Sequence, residues 1–472
     1  MGLKTFIINF QNISKEKTFR YDVDFADFQN GFSIEKYYSF NDLFEFQKNN
    51  KVDIQSLDDD FLYSEIGNVS KEGEVEPVKL NFTERKEEEE NYYKKIENGD
   101  IIQVKKNDIL LSKVRPNLKK YVLVDNDNVK YFFTSAFIHL KPKKLNKILY
   151  YSLRTIFYDN LIAISRQGKG YPTLKEDDFL YLKFDKIIID KFLKKQDQIV
   201  AQIEQIEKKI KELKTQITPP QEVINKVFAR EFGFDLEKFE ESKKEKFFEV
   251  DFSKISNYHS LRYDIKNQKY LDIFNGIIKK FGSSFFLKAI SKDKGKYGAN
   301  EPAKDGEKEI DTRYIRITDI NNIGDLTDDD WKTAEKIDQQ YLLKNDDFLF
   351  ARSGNTVGKT FLYDLEKHEE AIYAGYFIKF QLDFTKLNKL FFLYYTKSFI
   401  YDFWVKGIVR IKGQPNINAN EYLELKIPNV PLTEQEKIIN EIKAELDKQE
   451  KIKKKIESER NKIDEIVEKA IK

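Results

Sequence analysis

In this 472-residue chain the side chains able to do chemistry gather in a few short basic stretches. The first is Asp347-Phe348-Leu349-Phe350-Ala351-Arg352-Ser353-Gly354-Asn355-Thr356-Val357-Gly358-Lys359-Thr360. An apolar run, a glycine loop and a Lys-Thr pair are the ingredients of a nucleotide-phosphate loop, where backbone N–H groups and a lysine cradle phosphates. Such a loop has four residues between its glycines, whereas three separate Gly354 from Gly358. It also opens a helix, whereas Phe361-Leu362-Tyr363 reads as another strand. The better reading is a hairpin loop in which Arg352, Ser353, Asn355, Lys359 and Thr360 donate to phosphates or meet base edges. A solvated hairpin tip is the plain alternative.

Three further stretches share this character. They are Lys113-Val114-Arg115-Pro116-Asn117-Leu118-Lys119-Lys120, Arg166-Gln167-Gly168-Lys169-Gly170-Tyr171-Pro172 and Arg410-Ile411-Lys412-Gly413-Gln414-Pro415-Asn416. Arg or Lys reads guanine, and Gln or Asn reads adenine, through paired hydrogen bonds. Glycine lets a backbone come close to phosphate. Lys113, Arg115, Lys119, Lys120, Arg166, Lys169, Tyr171, Arg410, Lys412, Gln414 and Asn416 therefore join the candidate DNA contacts. Ordinary turns into the following strands are the alternative.

Other chemistry is excluded by composition. There is no cysteine, so disulfides, thiolate zinc sites, iron–sulfur clusters and thiol nucleophiles are ruled out. Of three histidines, His139 lies in an apolar run and reads as a core residue, while His259 and His368 are isolated. No metal site is expected. No Asn-Pro-Pro-Tyr or Asp-Pro-Pro-Tyr box, helicase motif pair or nuclease signature stands out, so no catalytic residue is assigned. The charge is balanced, with 82 Lys+Arg against 80 Asp+Glu. Nucleic-acid binding would then rest on a local positive face and not on the sum. No apolar run reaches the roughly 18 residues of a membrane span. No export signal is read at the N-terminus, and a cytoplasmic location is the expectation. Arg20-Tyr21-Asp22 and Arg262-Tyr263-Asp264 read as structural pairs, and Glu87 to Glu90 as a solvated run.

The elements that must position the loops occur twice, at an offset of about 240 residues. Asn107 to Lys113 matches Asp346 to Arg352. Gly170 to Leu174 matches Gly413 to Ile417, and Gln196 to Val200 matches Gln435 to Ile439. Each half opens with short strand-like runs, such as Val129 to Leu140 and Ala371 to Leu382. A charged helix follows. The first is predicted over roughly 190–216, with Ile199, Ile203, Ile206, Ile210 and Leu213 at alternating spacings of 4 and 3, and is stopped by Thr218-Pro219-Pro220. The second is predicted from about Thr433 to near Lys472. Its seam holds Ile442, Ile452 and Ile456 with Gln449 in register, and Ile439, Leu446, Ile463 and Val467 offer another stripe. Narrow apolar strips between charged flanks favour helix-on-helix pairing over packing on each helix's own domain. About 27 residues make a rod on the order of 40 Å, close to one duplex turn.

This pattern resembles the specificity subunit of type I restriction–modification systems over nearly the whole chain. The resemblance is carried by Asp347 to Gly354, by the Gly170/Pro172 and Gly413/Pro415 blocks, and by Ile427-Pro428 leading to Pro431-Leu432-Thr433-Glu434-Gln435. The first copy departs, with Phe184-Asp185 and Lys194-Lys195-Gln196 at the matching places, which weakens the start of its helix. The resemblance implies an α+β chain. Two similar α/β target-recognition domains would be separated by two long helices that pair as an antiparallel coiled coil, in a pseudo-twofold repeat. The expected divisions are 1–188 and 246–430 for recognition and 189–245 and 431–472 for the helical spacers. It implies a non-catalytic subunit that binds no cofactor itself. Partners would be double-stranded DNA, two modification subunits and restriction subunits, with S-adenosylmethionine, ATP and Mg on those subunits. The same architecture in a type II or phage-defence methylation system is the alternative, and a nucleotide-dependent enzyme using the Gly354–Thr360 loop is the rival of a different class.

Overall fold

The computed structural model describes residues 36–47, 52–53, 57, 60–85, 89–167, 171–237, 265–328, 330–409 and 415–472. The repeated Arg-Tyr-Asp triplets, His259, Glu87 and Glu88 lie outside them. The chain divides into two compact units, one of residues up to 215 together with 454–472, the other of residues 216–453.

The first unit is built on an antiparallel sheet of β1 (Phe44–Phe46), β2 (Ile109–Ser112), β3 (Tyr121–Leu123) and β4 (Phe137–Pro142), in the spatial order β1-β4-β2-β3. Every residue of β2 is buried, as an unbroken apolar run requires of a strand covered on both faces. Phe61–Ser64 pairs in parallel with Phe132–Phe133, and Tyr37–Ser39 pairs with Lys183–Asp185. Leu110, Val122, Phe133 and Phe137 share one core; Phe61, Tyr63, Tyr93 and Ile96 share another.

Helix α1 (Lys186–Lys214) starts where Asp185 accepts the N–H groups of Ile187 and Ile188, at 2.7 and 3.2 Å. That cap satisfies orphan donors of the first turn, so the helix begins ahead of Lys194-Lys195-Gln196, and Asp185, one of the departures, anchors its start. Pro220, predicted to stop a helix, opens the next one, α2 (Pro220–Phe232). Proline suits a first turn, where its missing N–H would have had no helical partner. The first helix itself stops earlier, at Lys214.

The second unit repeats the sheet plan. β5 (Lys296–Tyr297), β6 (Asp347–Ala351), β7 (Thr360–Leu362) and β8 (Phe377–Gln381) lie in the order β5-β8-β6-β7. Arg313–Ile315 pairs in parallel with Ala371–Tyr373, and Ser284–Phe286 pairs with Lys426–Pro428. In β6 the side chains alternate between two cores. Phe348 and Phe350 pack with Ile378, Phe380 and Phe392; Leu349 and Ala351 pack with Phe361, Tyr373 and Phe377. Each fully buried phenylalanine contributes roughly 1.5–3 kcal/mol. The predicted single runs Val129 to Leu140 and Ala371 to Leu382 are each two strands. In both, the chain leaves a parallel pair and turns within a few residues into the central sheet.

Helix α3 (Leu432–Ile471) contributes its first part to the second unit and its last part to the first. In the second unit Ile438, Ile439 and Ile442 share a core with Ile224, Val227 and Phe228 of α2. Arg230 bonds Glu441, Lys437 Nζ lies 2.8 Å from Glu231, and Gln449 Oε1 accepts the Thr218 N–H at 2.8 Å, an antiparallel order. In the first unit Lys209 Nζ lies 2.6 Å from Glu459 and Lys191 donates to the Ile471 carbonyl, again antiparallel. Helix α1 is also held on its own unit, through Lys147 Nζ and Tyr151 Oη to Glu207 at 2.6 and 2.9 Å. Ile199, Ile203, Ile210, Ile442 and Ile456 are buried; Ile206, Leu213 and Ile452 are half-buried. The other stripe is buried at Ile439, Ile463 and Val467 and half-buried at Leu446, so both stripes of α3 belong to one inward strip that includes Gln449.

Candidate nucleic-acid interface

Between β2 and β3 the chain makes one 3-10 turn, Pro116–Leu118, entered at Arg115 and left at Lys119. Both flanking residues are left-handed, with φ of 51° and 53°. For side-chain-bearing residues that conformation costs roughly 1–2 kcal/mol each. It is held by the second basic stretch, where Arg166–Gln167 pairs with Pro172–Thr173. Arg115 donates its N–H to the Pro172 carbonyl at 2.8 Å, and Leu174 donates to the Lys113 carbonyl at 2.8 Å.

The second unit makes the same junction. Gly354 donates to the Pro415 carbonyl at 3.0 Å and Ile417 to the Arg352 carbonyl at 2.9 Å. Ser353 and Asn416 bridge, as Val114 and Thr173 do in the first unit. Gly354 and Gly358, with φ of 77° and 90°, occupy the two left-handed stations held by Arg115 and Lys119 in the other copy. The glycine spacing is therefore set by the turn. No helix follows it, since β7 begins at Thr360. Lys359 Nζ donates to the Ile320 carbonyl at 3.0 Å. Thr360 is fully buried and its hydroxyl lies 2.8 Å from that of Thr396. These facts remove the phosphate-loop reading, and they make Thr360 a core residue instead of the expected surface donor.

Behind this loop sits a second amine. Lys397 is enclosed and donates to the Thr360 carbonyl at 2.6 Å. Burial first, then the charge of Lys359, pushes it down to about 7, against a raising contribution from Asp325. Burial also lowers Lys359.

Most of the other predicted cations are braces. Lys113 Nζ donates to the Ser135 carbonyl at 2.7 Å, Lys120 to Ile66 at 3.2 Å, and Lys119 to Arg154 at 2.9 Å while lying over the Tyr158 ring. Arg166 Nε bonds Asp178 Oδ1 at 2.7 Å. Their charge raises the local potential, and one donor of each is tied to the protein. Arg115 and Arg352 differ, for among the described residues neither has a hydrogen-bonded side-chain partner. Arg115 is exposed and lies over the Tyr171 ring, 5.4 Å from its centroid. Arg352 lies 4.8 Å from the centroid of Tyr297. Ser353 is half-buried and Asn416 exposed beside it. Lys169, Arg410, Lys412, Gln414 and the Asn355 side chain lie outside the described residues.

The sequence reading missed Tyr297 and Tyr376, which are 44% and 60% exposed. Arg352 donates its N–H to the Tyr376 carbonyl at 2.8 Å, so both tyrosines flank one arginine. Gly295-Lys296-Tyr297-Gly298 was a usable signal, an aromatic and a lysine between glycines, but a two-residue strand is too short for alternation to reveal. His139 is buried against Asp108 at 2.6 Å, as expected of a core histidine. No group of three or more His, Asp or Glu able to hold a metal occurs among the described residues, nor does a helix long and apolar enough to cross a membrane.

Residues 276–462 match the family model described as type I restriction modification DNA specificity domain. Three solved chains are similar over nearly their whole length. One comes from a structure on complex assembly and conformational transition of the type I R-M system, at 13% identity, covering 93% of this chain and 97% of that one, TM-score 0.39. Another is the HsdS subunit from Thermoanaerobacter tengcongensis, at 15% identity, 92% and 96% coverage, TM-score 0.30. The third is the type I restriction-modification S subunit from M. genitalium, at 13% identity, 93% and 96% coverage, TM-score 0.37. No curated protein matches the chain.

Proposed function

We propose that this chain, a member through residues 276–462 of the type I restriction modification DNA specificity family, is a target-reading subunit in which each unit reads one half of a split DNA sequence. The observation that carries this reading is the loop junction built twice. The same backbone bonds join the same two basic loops in both units, while the side chains displayed there differ. A repeated scaffold with divergent loops suits two different half-sites. Phosphate contacts from the lysines around each junction would supply salt-dependent affinity, and base contacts the sequence preference.

The long helices α1 and α3 would pair as an antiparallel coiled coil, fix the distance between half-sites and dock two modification subunits. Restriction subunits complete the assembly. S-adenosylmethionine, ATP and Mg belong to those partners, and the present chain contributes no catalytic residue. The target would be non-palindromic, with a spacer on the order of 5–8 base pairs if the half-site centres lie about one duplex turn apart. Methylome sequencing of a host carrying this chain with its modification partner tests the reading. The expected result is a split motif with methyl-adenine on both strands. A single contiguous motif, or a perfect palindrome, overturns it.

A further inference from the structure

Resting on that reading, we infer that Arg115 and Arg352 are specificity-determining residues, each seated over a tyrosine ring and reading one guanine in its own half of the target. Both arginines sit on the junction of the two basic loops, with their backbones pinned. Arg115 donates to Pro172 and accepts from Leu118 at 2.8 and 2.9 Å. Arg352 donates to Tyr376 and accepts from Ile417 at 2.8 and 2.9 Å. Each guanidinium lies over an exposed tyrosine, Tyr171 at 5.4 Å and Tyr297 at 4.8 Å from the ring centroids.

A cation–π contact holds a guanidinium over the ring without consuming its N–H donors as a hydrogen bond to a carbonyl would. A planar fork with free donors matches the O6 and N7 acceptors that guanine shows in the major groove. The neighbouring cations cannot serve in the same way. Lys113, Lys119, Lys120 and Lys359 are point charges with no planar fork, each tied by one bond to a carbonyl of the protein, and Arg166 is turned toward Asp178 by its Nε. Arg352 is further set, since its Nε is enclosed without a partner, which leaves the terminal amines as its reading edge. The two arginines are not at the same repeat position, for Arg115 matches Gly354 and Arg352 matches Lys113. The guanines are therefore expected at different places in the two half-sites.

The test uses the complete assembly with its modification partner and duplexes carrying the motif found by methylome sequencing, each base pair replaced in turn. Competition binding gives a discrimination ratio at every position. In the unaltered assembly at least one G·C pair in each half is expected to discriminate by about tenfold or more. Arg115→Lys keeps the charge but loses the planar fork, and it is expected to flatten the ratio at one G·C pair of one half only. Arg352→Lys is expected to do so in the other half. Tyr171→Phe preserves the ratio and Tyr171→Ala reduces it, which separates ring support from the hydroxyl. If the lysine variants weaken all duplexes alike and leave every ratio intact, the arginines contact phosphate and the inference falls while the target-reading proposal stands. If the unaltered assembly shows no split preference at all, it is the target-reading proposal that fails.

Discussion

Lys379 Nζ lies 2.8 Å from Asp347 Oδ2, and both side chains are buried in the central sheet of the second unit. In the first unit the same two stations hold His139 and Asp108, at 2.6 Å. Each aspartate also accepts a backbone N–H at 2.8 Å, from Lys344 and Lys105 respectively. The repeat thus keeps a buried aspartate bonded to a side-chain nitrogen while changing the residue that supplies it. Lys379→Met would strand Asp347 in a low-dielectric site, at a cost of about 3–5 kcal/mol. Adding Asp347→Asn, which can still accept from Lys344, should restore most of the loss. Denaturant unfolding of the two variants measures this. Equal stability of the single variant and the parent would show that the pair does not constrain the sheet.

Gly358 is the second left-handed station of its loop, with φ of 90°, and a Cβ there would come within 2.8 Å of the Val405 side chain. Gly358→Ala should cost roughly 1–3 kcal/mol, through backbone conformation and the close approach together. Thermal melting reads the loss directly.

Lys397 gives the second unit a pH dependence. Its buried amine titrates near 7, against an ordinary value near 10.5. Below about pH 7 both folded and unfolded chains carry the charge, and the full penalty of burying it is present. Between about 7 and 10.5 the unfolded chain binds more protons, so this group makes stability rise with pH across that window. Lys397→Met should flatten the rise and stabilise the unit at neutral pH by a few kcal/mol, to order of magnitude. Denaturation midpoints at a series of pH values between 6 and 10 check it, and an unchanged slope in the variant would contradict the assignment.

The helical seams should respond by burial and not by sequence alone. Ile203 and Ile442 are fully buried, whereas Ile452 is only half-buried. Ile203→Ala and Ile442→Ala should each cost about 2–5 kcal/mol, and Ile452→Ala distinctly less. Equilibrium unfolding of the three variants ranks them.

Much of this organisation was legible in the sequence because repeats and apolar spacing survive divergence. Asn107 to Lys113 against Asp346 to Arg352 located the central strand of each sheet, and Ile199, Ile203 and Ile210 located the first buried seam. Other features could not be read. The start of α1 depends on a single cap, Asp185, within a stretch that carries no pattern. The glycines of 354–358 suggested phosphate binding because their spacing reports a turn whose left-handed geometry is visible only beside Arg115 and Lys119. Residue type marked a set of cations, but which of them are braced on the protein depends on carbonyls such as those of Ser135, Ile66 and Ile320, brought near by the fold.

The central claim, that two units read two halves of one target, is met most directly by exchanging residues 246–430 for those of a relative and sequencing the methylome of the host. The account predicts that one half of the motif changes while the other half stays as it was. A motif altered in both halves, or in neither, would contradict it.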